Sequence, residues 1–290
     1  MEQISQWFIE LFEFLPLGTW ISNVSESIVV WLTINAKPFF DLLTLPVEWL
    51  FNGLNALLGW VPWPFVVLAF IWIGWRNGGR RVGAVAGIGL VLAGLLGYWE
   101  LTMETLAMVL SAMLISVVLG IPLGIAASRN DGLDQALRLA LDGMQTIHPF
   151  VYLVPIVMLL SIGNVPSIIA TIIFALPPIV RLTNLGIRQV PKETVEAGRS
   201  FGASERQLLW DVQIPLALPT IMAGLNQTLM LALSMVVIAA LIAGGGLGQE
   251  ILRSVGRLDI GRAVTSGLAV LILAIVLDRV SQGRSQQTTE

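Results

Sequence analysis

Residues 190–219 read VPKETVEAGRSFGASERQLLWDVQIPLALP, the longest strongly polar run in the second half of the chain, with apolar segments long enough to cross a bilayer on either side. Its punctuation is local. Pro191 suits a first helical position, Gly202 suits a helix-ending residue in the left-handed conformation, and Ser204 with Gln207 has capping-box spacing. The stretch therefore predicts two short helices around a glycine hinge, the second with an apolar side formed by Leu208, Leu209 and Val212. Any loop between two spans also needs polar residues, so helix physics alone leaves a plain interfacial loop equally open.

Composition sets the class around that elbow. Hydrophobic residues make up 56% of the 290 and charged residues 12%, and the mean hydropathy is +0.82, which together describe a multi-span, all-α membrane protein. The chain has no cysteine and one histidine, so disulfides, thiolate metal sites and a histidine zinc cluster are excluded. G-x-x-x-x-G-K-[ST] does not occur, so any nucleotide-driven work needs another subunit. No cofactor and no metal are expected on this chain, and no nucleic acid as partner.

About seven spans are expected. They are Trp63 to Trp75, Val82 to Trp99, Thr105 to Ser128, two within the uncharged run between Asp142 and Arg181 divided at Gly163-Asn164-Val165-Pro166, Leu218 to Ala243, and Gly261 to Leu277. Before them, residues 1–60 form an acidic, aromatic arm in which Trp7, Phe8, Leu11, Phe12 and Leu15 recur at helical spacing. The arm lacks the basic opening and cleavage pattern of a secretory signal, and is expected to stay on the protein. Arg76, Arg80, Arg81, Arg129, Arg138, Arg188, Lys192, Arg199, Arg206, Arg279 and Arg284 all fall on one side of this topology. The positive-inside rule makes that side cytoplasmic and leaves the arm outside. Arg253 and Arg257 disagree, offset by Glu250 and Asp259.

Glu196-Ala197-Gly198, three residues, Gly202, nine residues, then Val212-Gln213-Ile214-Pro215 resembles the EAA loop of ATP-binding-cassette importer permeases. Gly198 departs from its third letter; Val212 and Ile214 are conservative replacements. Asn226 to Val237, Gly244-Gly245-Gly246-Leu247-Gly248 and Gly256-Arg257-Leu258-Asp259 are similar to the glycine betaine and proline betaine branch. The resemblance runs from about Leu101 to Gln282. It implies a five-helix type I core over 101–282, two additional helices over 61–100, a coupling loop over 190–219 and a polar cytoplasmic tail over 283–290. It further implies a bacterial cell-membrane location, a second copy of the chain, two ATP-binding subunits carrying ATP and magnesium, and an external solute-binding protein. In that family the loop grips the ATPase, here through Glu196, Ala197, Gly198, Gly202, Val212, Ile214 and Pro215. The cargo would be a betaine or related compatible solute, or another amphipathic solute such as an amino acid.

Gln227, Met230, Ser234 and Met235 are candidate pathway residues, with helix packing as the competing reading. Gly244, Gly245, Gly246 and Gly248 make either a flexible external turn or a gate. His148, before Pro149, reads as a helix break, and Trp60, Trp63, Trp75 and Trp99 as an interfacial belt. An ion-coupled carrier would show paired intramembrane carboxylates or inverted repeats, and an enzyme a cluster of nucleophile, base or metal ligands; neither pattern is evident.

Overall fold

An apolar run inside a bilayer has to satisfy its own backbone, and the regular elements of the described residues are all helices. The computed structural model describes residues 17–242 and 244–282. The helical stripe expected from Trp7 to Leu15 and the polar tail 283–290 lie outside the described residues.

The arm forms α1 (Leu17–Asn35) and α2 (Lys37–Trp60), which meet at 76°. Helix α2 buries Val47 and Phe51 and lies against three helices of the core, whereas α1 buries none of its residues. Next, α3 (Trp63–Leu95) is a hairpin rather than one rod: Gly79, at φ +81°, breaks the helical run and the two limbs double back on each other. A Cβ on Gly83 would stand 2.8 Å from the carbonyl oxygen of Ile71, and one on Gly74 3.1 Å from Gly83 Cα, so the limbs touch backbone to backbone. Each limb is about 16 residues, roughly 24 Å long. These limbs correspond to the first two expected spans.

The core follows as α4 (Trp99–Arg129), α5 (Asp131–Thr146), α6 (Pro149–Leu160), α7 (Asn164–Arg188), α8 (Lys192–Ser200), α9 (Glu205–Ile242), α10 (Gly246–Gly256) and α11 (Ile260–Gln282). The segment expected as a crossing between Asp142 and Gly163 is not one continuous helix: it is shared between α5 and α6, which diverge by 97° at the break expected at His148. The residue before a proline is driven out of the helical region, and His148, preceding Pro149, becomes the cap of α6: its Nδ1 accepts from the Phe150 N–H at 3.4 Å. Helix α6 alone has 12 residues, roughly 18 Å. With the two limbs of α3 counted together, five helices among the described residues are long and apolar enough to cross a membrane, up to seven if each bent pair counts as one span.

Helices α4, α7 and α9 pack on one another at the centre, and α11 is held by the second limb of α3. The bundle has two unlike ends. At the elbow end lie the tips of α4 and α7, the elbow itself, and the α3 turn, where Asn77 Nδ2 donates to the Val280 carbonyl at 3.3 Å. At the opposite end the Tyr98 and Thr265 hydroxyls meet at 3.0 Å beside the glycine loop. Trp60, Trp63 and Trp99 sit at helix ends, and Trp75 four residues before the α3 turn.

Candidate functional site

The elbow is built from local contacts. Pro191 stands one residue earlier than expected, as the cap of α8, where its carbonyl accepts from the Thr194 N–H at 3.1 Å. Gly202 turns the chain at φ +85°. The capping box forms: the Gln207 N–H donates to Ser204 Oγ at 3.4 Å, and the Ser204 N–H donates to Gln207 Oε1 at 2.9 Å. The second short helix, by contrast, is not separate. After Gln207 a π-helical turn over Leu208–Gln213 runs directly into the α-helical part of α9. Pro215 lacks an N–H and its ring would collide with the carbonyl four residues back, and a locally widened helix accommodates it. Val212, Ile214 and Pro215 therefore belong to the stem, and Glu196, Ala197, Gly198 and Gly202 to the protruding arm.

Gly198, where the EAA pattern has alanine, lies close against the start of α9. A Cβ there would fall 2.6 Å from Leu208 Cδ2, a side chain that is itself fully buried. Arg199 Nε donates to Glu205 Oε1 at 3.0 Å across the bend, and Arg129 donates to the Glu205 carbonyl at 3.3 Å. At the tip, Phe201 is 92% exposed while Glu196 and Ala197 face outward beside it.

Behind the arm, Asp134 is buried and gathers three helices. Its Oδ2 accepts from Arg138 Nε and a terminal nitrogen at 3.1 and 2.9 Å, and its Oδ1 accepts from Asn184 Nδ2 at 2.6 Å. Arg188 then donates to Asn184 Oδ1 and the Ala127 carbonyl, both at 2.8 Å, and pairs with Asp131 at 2.7 Å. The hydrogen bonds from Arg138 hold the Asp134 carboxyl below its ordinary range, against the upward push of burial; the charge of Arg138, the Asn184 amide and Arg188 act in the same direction as those bonds. This network braces α4, α5 and α7 where the elbow departs.

Of the four pathway candidates, three share a face. Gln227, Met230 and Ser234 are exposed on the side of α9 turned away from the bundle, Met230 at 41%. Met235 is fully buried with Leu153, Ile156, Ala170 and Ala239, so it belongs to packing among α6, α7 and α9. The neighbouring Asn226 presents a buried Oδ1 with no hydrogen-bond partner.

The glycine loop is pinned rather than free. The Gly246 N–H donates to Glu104 Oε2 at 2.8 Å, Asn164 Nδ2 donates to Glu104 Oε1 at 3.0 Å, and the Gly245 N–H donates to Asn164 Oδ1 at 2.5 Å. The Leu247 N–H donates to Thr105 Oγ1 at 2.8 Å. A Cβ on Gly245 would overlap the Glu104 carboxylate, and one on Gly244 would stand 2.5 Å from Ser167 Oγ. Gly248 lies 3.0 Å, by the same measure, from the Val236 carbonyl. Beyond α10, Leu258 has φ +56° and is 87% exposed. A leucine in the left-handed region with its side chain in the open stores strain that a solvated loop has no reason to keep. Beside it Glu250 lies between Arg253 and Arg262, at 3.9 and 3.8 Å.

Sequence reading missed Glu104, Asn164, Asp134, Asn184 and Phe201 as site residues. The partners of Glu104 lie 60 and 142 positions away, beyond any periodicity. The available signal was an acid one turn inside an apolar run.

A family described as "Binding-protein-dependent transport system inner membrane component" matches residues 116–283. The glycine betaine/proline betaine transport system permease protein ProW of Escherichia coli is 51% identical over 268 residues, 92% of this chain and 75% of that protein. The glycine betaine transport system permease protein OpuAB of Bacillus subtilis is 41% identical over 262 residues, 90% and 93% of the two chains. Among solved structures, the inward-facing MetNI methionine ABC transporter matches with a TM-score of 0.53 and 26% identity over 64% of this chain and 92% of the other.

Proposed function

Since the chain belongs to the family of binding-protein-dependent transport system inner membrane components, we propose that it is the permease subunit of an ATP-driven importer of glycine betaine, proline betaine or a related compatible solute. The observation that carries this is the elbow: a helix held off the bundle by Gly202, braced by Arg129 and Glu205, and tipped with Phe201. Such an arm gives a separate ATP-binding subunit something rigid to push. One chain has one elbow, and a pair of motor subunits needs two, so the working unit is a homodimer. Glu196, Ala197, Gly198 and Gly202 make the contact, and Val212, Ile214 and Pro215 carry its motion into α9. The elbow end, where the basic residues gather, is cytoplasmic; the N-terminal arm and the glycine loop are external. ATP and magnesium stay on the partner subunits.

Facing copies place Gln227, Met230 and Ser234 along the passage, a weakly polar wall with no fixed charge. A betaine has a quaternary ammonium that donates no hydrogen bond beside a carboxylate that needs solvation, so a wall that grips neither lets it pass. Selection belongs to the external solute-binding protein, for which the strained, exposed Leu258 is the docking point. ATP binding draws the two elbows together and opens the passage outward; hydrolysis reverses it. Uptake of labelled glycine betaine into vesicles containing this chain, the cognate ATPase and the binding protein tests the proposal. Uptake that is ATP-dependent and lost without the ATPase supports it; uptake driven by an ion gradient alone overturns it, and uptake of methionine instead changes the cargo.

A further inference from the structure

Every donor around Glu104 points inward. The Gly245 N–H donates to Asn164, Asn164 donates to Glu104, and the Gly246 N–H donates to the other carboxylate oxygen. A backbone N–H cannot reverse its direction, so the Asn164 amide has one orientation and the group at 104 has to accept twice through two different oxygens. A carboxylate does this; a carboxamide, with one accepting oxygen, cannot. The negative charge also stands at the N-terminus of α10, where the helix dipole favours it. The three donors come from the loop and from α7, and Glu104 from α4, so one side chain joins parts of the chain that follow different spans.

We propose that Glu104 and Asn164 are positioning residues for transport: a carboxylate–amide clamp that holds the Gly244–Gly248 loop across the outer ends of α4 and α7, so that the external mouth opens only when these elements move together. The clamp rests on the importer reading for its role in transport, but its geometry stands apart from that reading. Thr105, accepting from the Leu247 N–H, and Ser167 Oγ, donating to the Ala239 carbonyl at 3.1 Å, close the same seam on either side.

The direction of the donors prescribes its own test. Glu104→Gln leaves one donor facing an NH2 group. Asn164→Asp sets two carboxylates against each other. In Glu104→Gln/Asn164→Asp the pattern is restored in mirror sense: the Gly245 N–H donates to Asp, the new Gln NH2 donates to Asp, and the Gly246 N–H donates to the Gln oxygen. Hydrogen–deuterium exchange of the 244–248 segment in nanodiscs reads the clamp without any solute. Each single variant is expected to exchange ~10-fold faster or more, the consequence of one unmade charge-assisted hydrogen bond, and the double variant to return to within about 3-fold of the parent. In vesicles, the singles are expected to hydrolyse ATP without waiting for loaded binding protein, and the double to regain that dependence. Exchange in Glu104→Gln equal to the parent, or a double variant no better than the worse single, overturns the clamp. If the unmodified chain takes up no betaine while the exchange pattern holds, the cargo reading fails and the clamp survives. An intact exchange pattern with unchanged ATPase coupling in the singles removes its role in transport.

Discussion

Gly202 offers a measurement of what the elbow is worth. A Cβ at this position meets nothing within 4 Å, so substitution changes backbone preference and little else. A non-glycine residue held left-handed costs about 1–2 kcal/mol, the lower end for asparagine and the upper for β-branched residues. That is roughly a 5- to 30-fold loss of the bent conformation across the series, with alanine between the two ends. The expected order of apparent affinity for the ATPase subunit, titrated against nanodisc-embedded permease, is glycine, asparagine, alanine, valine. Proline, with φ fixed near about −65°, removes the bend and uncouples hydrolysis from uptake. Membrane levels stay constant across the series because no buried contact is lost. Asparagine is larger than alanine, so an order that follows size instead of tolerance for positive φ refutes the reasoning, as does a flat series.

Phe201→Ala is expected to weaken ATPase binding by about 2 kcal/mol, near 30-fold, as loss of an exposed aromatic anchor does; co-purification at wild-type strength would remove Phe201 from the contact. Ala197→Glu adds charge where α8 is proposed to meet the ATPase and is expected to leave the protein in the membrane while abolishing uptake, measured as ATPase without transport. Gly83→Leu forces a side chain into the backbone of the first α3 limb and is expected to destabilise by about 1–3 kcal/mol, read as a lower melting temperature in detergent. Asp134→Asn discards the carboxylate that accepts from Arg138 through one oxygen and Asn184 through the other, and is expected to cost about 1.5–3 kcal/mol. Because the Asp134 carboxyl is held low, its contribution is fully present above the ordinary carboxylate range of about 4 and fades only as pH falls through the lowered value. The stability gap between parent and variant should therefore be constant from about pH 8 to about pH 5, and a gap that closes within that window contradicts the assignment.

What could be read from the chain was what depends on near neighbours. The bend at Gly202, the capping box of Ser204 and Gln207, and the break at His148-Pro149 each involve groups within a few residues, and each is present. The expected end of the second short helix failed for a reason that is still local but competitive: Pro215 can end a helix or widen it, and here the turn over Leu208–Gln213 is the widened form. Met235 shows the limit of periodicity, since the arc from Gln227 to Ser234 leaves the boundary between exposed face and core to the helices packed against α9.

By itself, then, the sequence determined that this protein lives in a membrane, that its apolar runs form helices, and that a polar elbow lies between two of them. Hydropathy and capping are properties of short windows. Only the tertiary structure decided that the two α3 limbs touch backbone to backbone at Gly74 and Gly83, that Asp134 joins α5 to α7, and that Glu104 receives donors from a loop and a helix far along the chain. Those choices turn on which backbones can approach and which donors remain unpaired once the helices are packed. Neither quantity exists before distant segments meet.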